Sequence, residues 1–292
     1  LQDVWESMEQ PLQNGLCLFL ICGGFNGFWN NLVLSMVKTM NNNIKEHPIQ
    51  FEADMIRALL QEYSTPGEHK NQTRRTCGLN RFNNFPEHLK ERGWEIQEFI
   101  EVEPGLWLAV SKDDEGDFPD DDFNPWVRCP YGKVGDRLWV RETFFEVYDD
   151  QFRPTGKYCY AATHQGYVHV LDEDGGIKIN NDGTEASPWK SGIHMPRKAA
   201  RILLEITEVR IERLLDITPQ DARMEGIESV WHDEETDVCL WKDYSGRSNG
   251  YIFALMSYFS LWDKLKGAGS SKMNPWVWVI KFKVLTINGE LK

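Results

Sequence analysis

The sequence predicts an α+β fold, in which a curved or barrel-like β domain carries helices at its ends. Many short runs alternate apolar and polar residues, the period of a half-buried strand, and only three runs have helical spacing. The longest alternating runs are residues 201–213, with an irregularity expected near Thr207, and residues 275–285. With 292 residues, of which 41% are hydrophobic, the chain can bury a sizeable core.

The shorter elements follow from the same patterns. A helix is predicted over residues 52–63, where apolar side chains recur at i, i+3 and i+4. Residues 172–187 are rich in Gly, Asn and Asp, which indicates a long hairpin or an exposed insertion. Short alternating strands are expected at residues 49–51, 106–111, 137–141, 144–148 and 157–162.

Two further helices are predicted near the C-terminal end of the sheet. Thr218 is a suitable N-cap and Pro219 a suitable first helical residue, so a short helix is expected to begin there. A longer helix is expected over residues 251–265, with Ser248 or Asn249 as its cap.

Charge and cysteine content narrow the class of function. The chain has 32 basic and 45 acidic residues, a net charge of −13. Tight binding of a phosphate backbone needs many Lys and Arg contacts, so RNA is a disfavoured partner, although a local basic pocket is compatible with this net charge.

The six cysteines have no C-x-x-C spacing, so reduced thiols in a cytoplasmic protein are expected. The His and Cys spacings do not fit a zinc site, and neither a metal nor a cofactor is expected.

Residues 1–43 are predicted to be an extra segment that is not native to the domain, which would span residues 44–292. The apolar stretch 16–28 is interrupted by glycines and is shorter than the ~20 apolar residues of a membrane span. No basic residue precedes it, as a secretory signal would require. Met40 is therefore a plausible natural start, no membrane partner is expected, and a chain without residues 1–39 is expected to fold.

The run from Lys70 to Arg75 carries the strongest chemical signal. It places a lysine, the Thr73 hydroxyl and the two arginines Arg74 and Arg75 in one short piece of backbone, expected to be extended. Burial and nearby cations lower the pKa of a lysine, and a neutral Lys70 could take the proton of Thr73. An exposed loop with a solvated lysine is the commoner reading of such a run.

Glu225 is the candidate carboxylate for this group. It lies at the end of the short helix, next to Gly226, which suits the position after a helix C-terminus. Because the C-terminus of a helix mildly disfavours anions, a carboxylate at this position indicates a role beyond the helix itself. A solvated terminal residue is the alternative.

A second set of residues could line a pocket for a flat heterocycle. It combines an aromatic side chain, an imidazole and charged groups in a strand end and in a loop bounded by Pro and Gly, and such groups bind bases by stacking and edge hydrogen bonds. A structured crossover loop is equally compatible. The members of this set are Arg141, Glu142, Trp189, His194 and Arg197.

Five segments together resemble the ASCH-domain family, in proteins of phage type, whose fold is related to the PUA-like RNA-binding fold. The resemblance covers roughly residues 44–285, and the joint order of its segments is fairly specific. The chain departs from the pattern at residues 64–69, which are longer than usual, and at Asn71, where Thr is common. The five segments are residues 48–75, 135–143, 194–197, 217–227 and 274–280.

The resemblance is closest to the N(4)-acetylcytidine amidohydrolases of that superfamily, whose catalytic group is a Lys, a Thr and a Glu. The matching positions are Lys70, Thr73 and Glu225. The resemblance implies a PUA-like β-barrel with flanking helices and hydrolysis of the N(4)-acyl amide of an acylated cytidine or cytosine. Arg74 and Arg75 would help to bind this nucleoside or nucleobase. An RNA or modified-base binding module, or a phage accessory protein, each without catalysis, are the alternatives.

Overall fold

A mixed six-stranded sheet organises the computed structural model. The structure describes residues 44–111, 123–151, 153–172, 174, 176–233, 235–236, 238–288 and 290–291. In chain order the strands are β1 (Glu46–Gln50), β2 (Gln72–Arg75), β3 (Ile96–Glu103), β4 (Leu106–Ser111), β5 (Trp126–Arg128), β6 (Arg137–Arg141), β7 (Phe144–Tyr148), β8 (Pro154–Tyr160), β9 (Ile202–Arg213), β10 (Ser229–Asp233), β11 (Val238–Trp241), β12 (Trp276–Ile287) and β13 (Glu290–Leu291). The α-helices are α1 (Ala53–Ser64), α2 (Asn80–Asn83), α3 (Glu87–Glu91), α4 (Pro219–Met224) and α5 (Ala254–Lys266).

The main sheet has the order β1-β6-β9-β12-β13, and β2 also pairs with β12. β1 and β6 are parallel, whereas β9 and β2 both run antiparallel to β12. The β3-β4-β5, β7-β8 and β10-β11 strands form smaller sheets. The α+β prediction is therefore confirmed, and the described strands form open sheets without a closed barrel among them.

β12 is the centre of the core because its first half is apolar on both faces. Val277, Trp278, Val279 and Ile280 are all fully buried. α1 packs against β12 and contributes Ile56 and Leu59, also fully buried. Strands that are covered on both faces carry such continuous apolar runs, which explains the loss of alternation at the start of β12.

Several local predictions are confirmed. Thr207 is the extra residue of a bulge, because Lys281 pairs with Glu208 and the next residue, Phe282, pairs with Ile206. Thr218 caps α4, since its hydroxyl accepts a hydrogen bond from the Asp221 amide at 3.1 Å.

The predicted cap of the last helix is wrong. α5 begins at Ala254, and its N-cap residue Phe253 makes no side-chain capping bond. The Ser248 hydroxyl instead lies 3.1 Å from Asp243, a carboxylate that accepts several bonds within its own loop. This local loop satisfies Ser248 before the helix starts.

The predicted extra segment, residues 1–43, lies outside the described residues. Among the residues that are described, no helix combines the length and the apolar content needed to span a membrane.

Candidate active site

Lys70, Thr73 and Glu225 line a single cleft of about 300 Å³. Lys70 and Thr73 come from β2 and the residues just before it, and Glu225 comes from the end of α4. All three are almost completely buried, with exposed fractions of 1%, 3% and 4%. Two neighbouring side chains and one that is distant in sequence therefore line the same cleft.

Backbone pairing holds this arrangement together. β2 is bound to β12, with Thr73 opposite Ile280. On its other side, the Asn71 amide donates to the Met224 carbonyl at 3.1 Å, and the Gln72 side chain donates to the Asp221 carbonyl at 2.8 Å. These two hydrogen bonds to main-chain carbonyls hold the end of α4 beside the lysine.

Lys70 is a buried amine held at two points. Its Nζ donates to the carbonyl oxygens of Gln72 at 3.0 Å and Glu225 at 2.5 Å, and it lies 3.7 Å from the Glu225 carboxylate. Burial lowers the pKa of Lys70 to about 8, although Glu225 opposes the shift. At pH 7 roughly a tenth of the amine is then neutral, against less than about a thousandth for a free lysine.

Arg74 is bound on all sides by carboxylates. Its guanidinium donates to Glu225 at 2.9 Å, to Glu212 at 2.5 Å and to Asp221 at 3.3 Å. Such buried, charge-assisted contacts fix the geometry of both partners. Arg74, predicted to contact the substrate, lines the cleft, and each of its three guanidinium nitrogens also donates to a carboxylate of the protein. Through the bond to Glu225 it orients that carboxylate. The sequence offered no signal for Glu212 or Asp221, because their role depends on a contact with a distant strand.

Arg75 is more open. It lies on the same face of β2 as Thr73, because alternate residues of a strand share a face. One guanidinium nitrogen donates to the Gln50 carbonyl at 2.7 Å, and the group lies 5.0 Å from the centre of the Phe51 ring. Arg75 lines the cleft without an ion pair to any described carboxylate.

Tyr258 is a residue of the cleft that the sequence did not single out. It lies on α5, where it is one of several aromatic residues, and nothing in the sequence separates it from the core. Burial raises its pKa well above the usual value, and the neighbouring Glu225 adds to the effect. The phenol therefore stays protonated and is a hydrogen-bond donor at the wall of the cleft.

Four residues of the predicted heterocycle pocket lie elsewhere. Glu142 is buried in a two-point contact with Arg201, at 2.8 and 2.9 Å. Arg197 pairs with Glu46 at the surface, at 2.7 Å. Trp189 packs edge-on against Phe145, and His194 is in an exposed turn, so Glu142, Trp189, His194 and Arg197 do not line the cleft. The fifth, Arg141, lies in an adjoining cavity.

Gly226 fixes the approach of α4 to Lys70. Its φ is +84°, and a Cβ at this position would lie 3.0 Å from Lys70 Cβ and 3.0 Å from Ala58 Cβ. We expect Gly226→Ala to lower the free energy of unfolding by about 1–3 kcal/mol more than Gly93→Ala, because only the first substitution adds a steric clash to the backbone strain. Chemical denaturation measures both values.

Gly93 is a matched control because it also follows a helix, has a φ of +86° and has open space around it. Equal losses of unfolding free energy in the two variants would show that close packing against Lys70 adds nothing to the cost of a side chain at residue 226.

Lys70, Thr73 and Glu225 thus share one cleft with Arg75 and Tyr258. No family model matches the chain, and no match is found among curated proteins or solved structures.

Proposed function

We propose that this protein is an amidohydrolase that cleaves the N(4)-acyl amide of an acylated cytidine or cytosine, and that its sheet belongs to the ASCH/PUA-like fold. The observation that carries the proposal is the convergence of the Lys70 amine, Thr73 and the Glu225 carboxylate in one cleft. A lysine with a pKa near 8 suits a general base, because proton transfer is efficient when the pKa lies near the working pH. The resemblance of the surrounding segments supports the choice of substrate.

In the proposed reaction, the Thr73 hydroxyl attacks the acyl carbonyl carbon, and neutral Lys70 accepts its proton. Collapse of the tetrahedral intermediate breaks the bond between the carbonyl carbon and N4 and leaves the acyl group as an ester on Thr73. Water then hydrolyses the ester, releasing a carboxylic acid and restoring Thr73. Direct attack by water activated by Lys70 and Glu225, with Thr73 orienting the substrate, is the alternative course.

Cytosine leaves poorly as an anion, so a proton must reach it as the amide breaks. Glu225, the acidic member of the group, is the first candidate for this delivery. Both carboxylate oxygens of Glu225 face donors, however: Arg74 at 2.9 Å and Lys70 at 3.7 Å. A carboxylate in this position accepts hydrogen bonds. We therefore assign proton delivery to Lys70, which passes on the proton it took from Thr73, and assign to Glu225 the stabilisation of the lysine ammonium.

The oxyanion needs a donor that is not already committed to a carboxylate. Arg74 is bound to Glu225, Glu212 and Asp221, so it is not suited to this task. The Tyr258 hydroxyl stays protonated and lines the cleft, so it is the proposed donor to the developing negative charge.

The test is the hydrolysis of N(4)-acetylcytidine, followed by the change in ultraviolet absorbance. We expect turnover by the wild-type protein, a loss of at least about a hundredfold in Thr73→Ala, and substantial activity in Thr73→Ser, which keeps a hydroxyl. An acyl-enzyme trapped at Thr73 and detected by mass spectrometry would select the covalent course. Salt-dependent RNA binding with no turnover would overturn the proposal and favour a binding module.

The rate is expected to depend on the protonation of Lys70. Only the neutral amine can accept a proton, so kcat/KM should rise with pH and level off above about 8, the pKa of Lys70. Below this midpoint the rise is about tenfold per pH unit. Initial rates at low substrate between about pH 6 and pH 10 provide the measurement. A flat profile, or one that falls with pH, would contradict the assignment of Lys70 as base.

A further inference from the structure

A second cavity, of about 250 Å³, adjoins the cleft. The two cavities share Gln50, Arg75 and Lys266 as lining residues. A ligand held at the Lys70 end can therefore extend past Arg75 into the second cavity without leaving the protein surface.

The second cavity is strongly cationic. Arg75 from β2, Arg141 from β6 and Lys266 from α5 line it, and no carboxylate from the described part of the chain does so. This concentration of positive charge stands out in a chain with a net charge of −13. Cations of the same sign repel one another, so three of them meeting without a carboxylate favour the binding of an anion.

None of these three cations has an ion pair with a described carboxylate. Arg75 is held by the Gln50 carbonyl and the Phe51 ring. Arg141 stacks at 4.7 Å on the ring of Trp139, and its buried Nε has no hydrogen-bond partner among the described residues. Burial lowers the pKa of Lys266, and the charge of Arg75 adds to this shift. Apart from the Arg75 nitrogen bound to Gln50 and the buried Nε of Arg141, their donors make no described hydrogen bond and can bind a ligand in the cavity.

The shape of the donor set fits a phosphate group. Arginine guanidinium groups bind phosphate oxygens through paired, parallel hydrogen bonds, and a lysine adds a compact charge. Thr76 and Tyr131 add hydroxyl groups to the same wall. A free carboxylate would use only part of this set, whereas a phosphate monoester carries about two negative charges and three terminal oxygens.

We propose that Arg75, Arg141 and Lys266 form a phosphate-binding subsite, so that the preferred substrate of the cleft is an N(4)-acylated cytidine monophosphate rather than the nucleoside or the free base. This inference rests on the proposed amidohydrolase function for the identity of the base. The phosphate subsite itself rests only on the second cavity.

The test compares binding of cytidine 5′-monophosphate with binding of cytidine by isothermal titration calorimetry. We expect the nucleotide to bind at least about tenfold more tightly to the wild-type protein, and this ratio to fall to about threefold or less in Arg141→Gln and in Lys266→Gln. Lys264→Gln is the matched control, because Lys264 lies in the same last turn of α5 and does not line either cavity. It should retain the wild-type ratio.

The subsite would be overturned by equal binding of nucleotide and nucleoside, or by failure of both to bind. It would also be overturned if Lys264→Gln lowered the preference for the nucleotide as much as Arg141→Gln and Lys266→Gln do. Binding of a short cytidine oligonucleotide without a terminal phosphate as tightly as the monophosphate would also overturn it, in favour of an RNA backbone site.

Hydrolysis assays with N(4)-acetylcytidine and with its 5′-monophosphate separate the two proposals. Tighter nucleotide binding without hydrolysis of either compound supports the subsite and overturns the amidohydrolase. Hydrolysis of these compounds without tighter binding of the nucleotide supports the amidohydrolase and overturns the subsite.

Discussion

Lys70→Met is expected to lower kcat/KM for N(4)-acetylcytidine by about a thousandfold or more. The substitution keeps the length of the side chain but removes the amine proposed as the base for Thr73, and positioned acid–base groups contribute about 10²–10⁴ in rate. The effect should lie at the upper end of this range because the same amine is also assigned the delivery of the proton to the leaving cytosine. Steady-state kinetics above pH 8 measure it, because most of the wild-type amine is neutral above its pKa.

Lys242→Met is the control for this substitution. Lys242 is a partly buried lysine that contacts Asp54 and Glu228, at 3.2 and 2.7 Å, outside the cleft. Its replacement removes the same charge and should leave kcat/KM within about threefold of wild type. Circular dichroism has to show that both variants are folded. A folded Lys70→Met protein that keeps more than a tenth of the activity would exclude Lys70 as the base.

Glu225→Gln is expected to lower kcat by about 10²–10³ and to move the midpoint of the pH profile below 8. The amide keeps the shape of the side chain but cannot stabilise an ammonium. Burial is the main cause of the lowered pKa of Lys70 and Glu225 is the main opposing influence, so removing the carboxylate lowers that pKa further. The pH dependence of kcat/KM separates this effect from a simple loss of packing.

Glu212→Gln is the matched control for the pH shift. Glu212 is also a carboxylate partner of Arg74, but it makes no described contact with Lys70. The midpoint should therefore move less in Glu212→Gln than in Glu225→Gln. A midpoint that stays at about 8 in Glu225→Gln would contradict the assignment of Glu225 to the stabilisation of the lysine ammonium.

Local sequence patterns predicted much of the fold because they depend on neighbouring residues. The Thr218 cap and the bulge at Thr207 both arise from short-range geometry. β3, β10 and β11 were not predicted. β10 is mostly exposed, β11 is mostly half-buried, and β3 buries only two of its eight residues. Strands with so few buried residues carry little apolar alternation.

The resemblance, rather than any local pattern, predicted that Glu225 would meet Lys70 across 155 positions of sequence. The network around Arg74 could not be predicted from the same segments. It depends on Glu212 of β9 facing β2 across β12, a relation that the strand order creates. For the same reason the sequence could not distinguish Tyr258 from an ordinary core aromatic, because only the packing of α5 brings its side chain to the cleft.

The burial of Lys70 has a thermodynamic consequence for the whole domain. Its pKa falls from 10.5 to about 8 on folding, so the protonated amine destabilises the folded state by about 3 kcal/mol at neutral pH. Because the unfolded chain binds the proton more tightly, this loss is complete below pH 8 and disappears as the pH approaches 10.5. The domain thus gives up part of its resistance to unfolding to keep an ionisable amine in its interior, the exchange between stability and activity that is expected if Lys70 is the base proposed above.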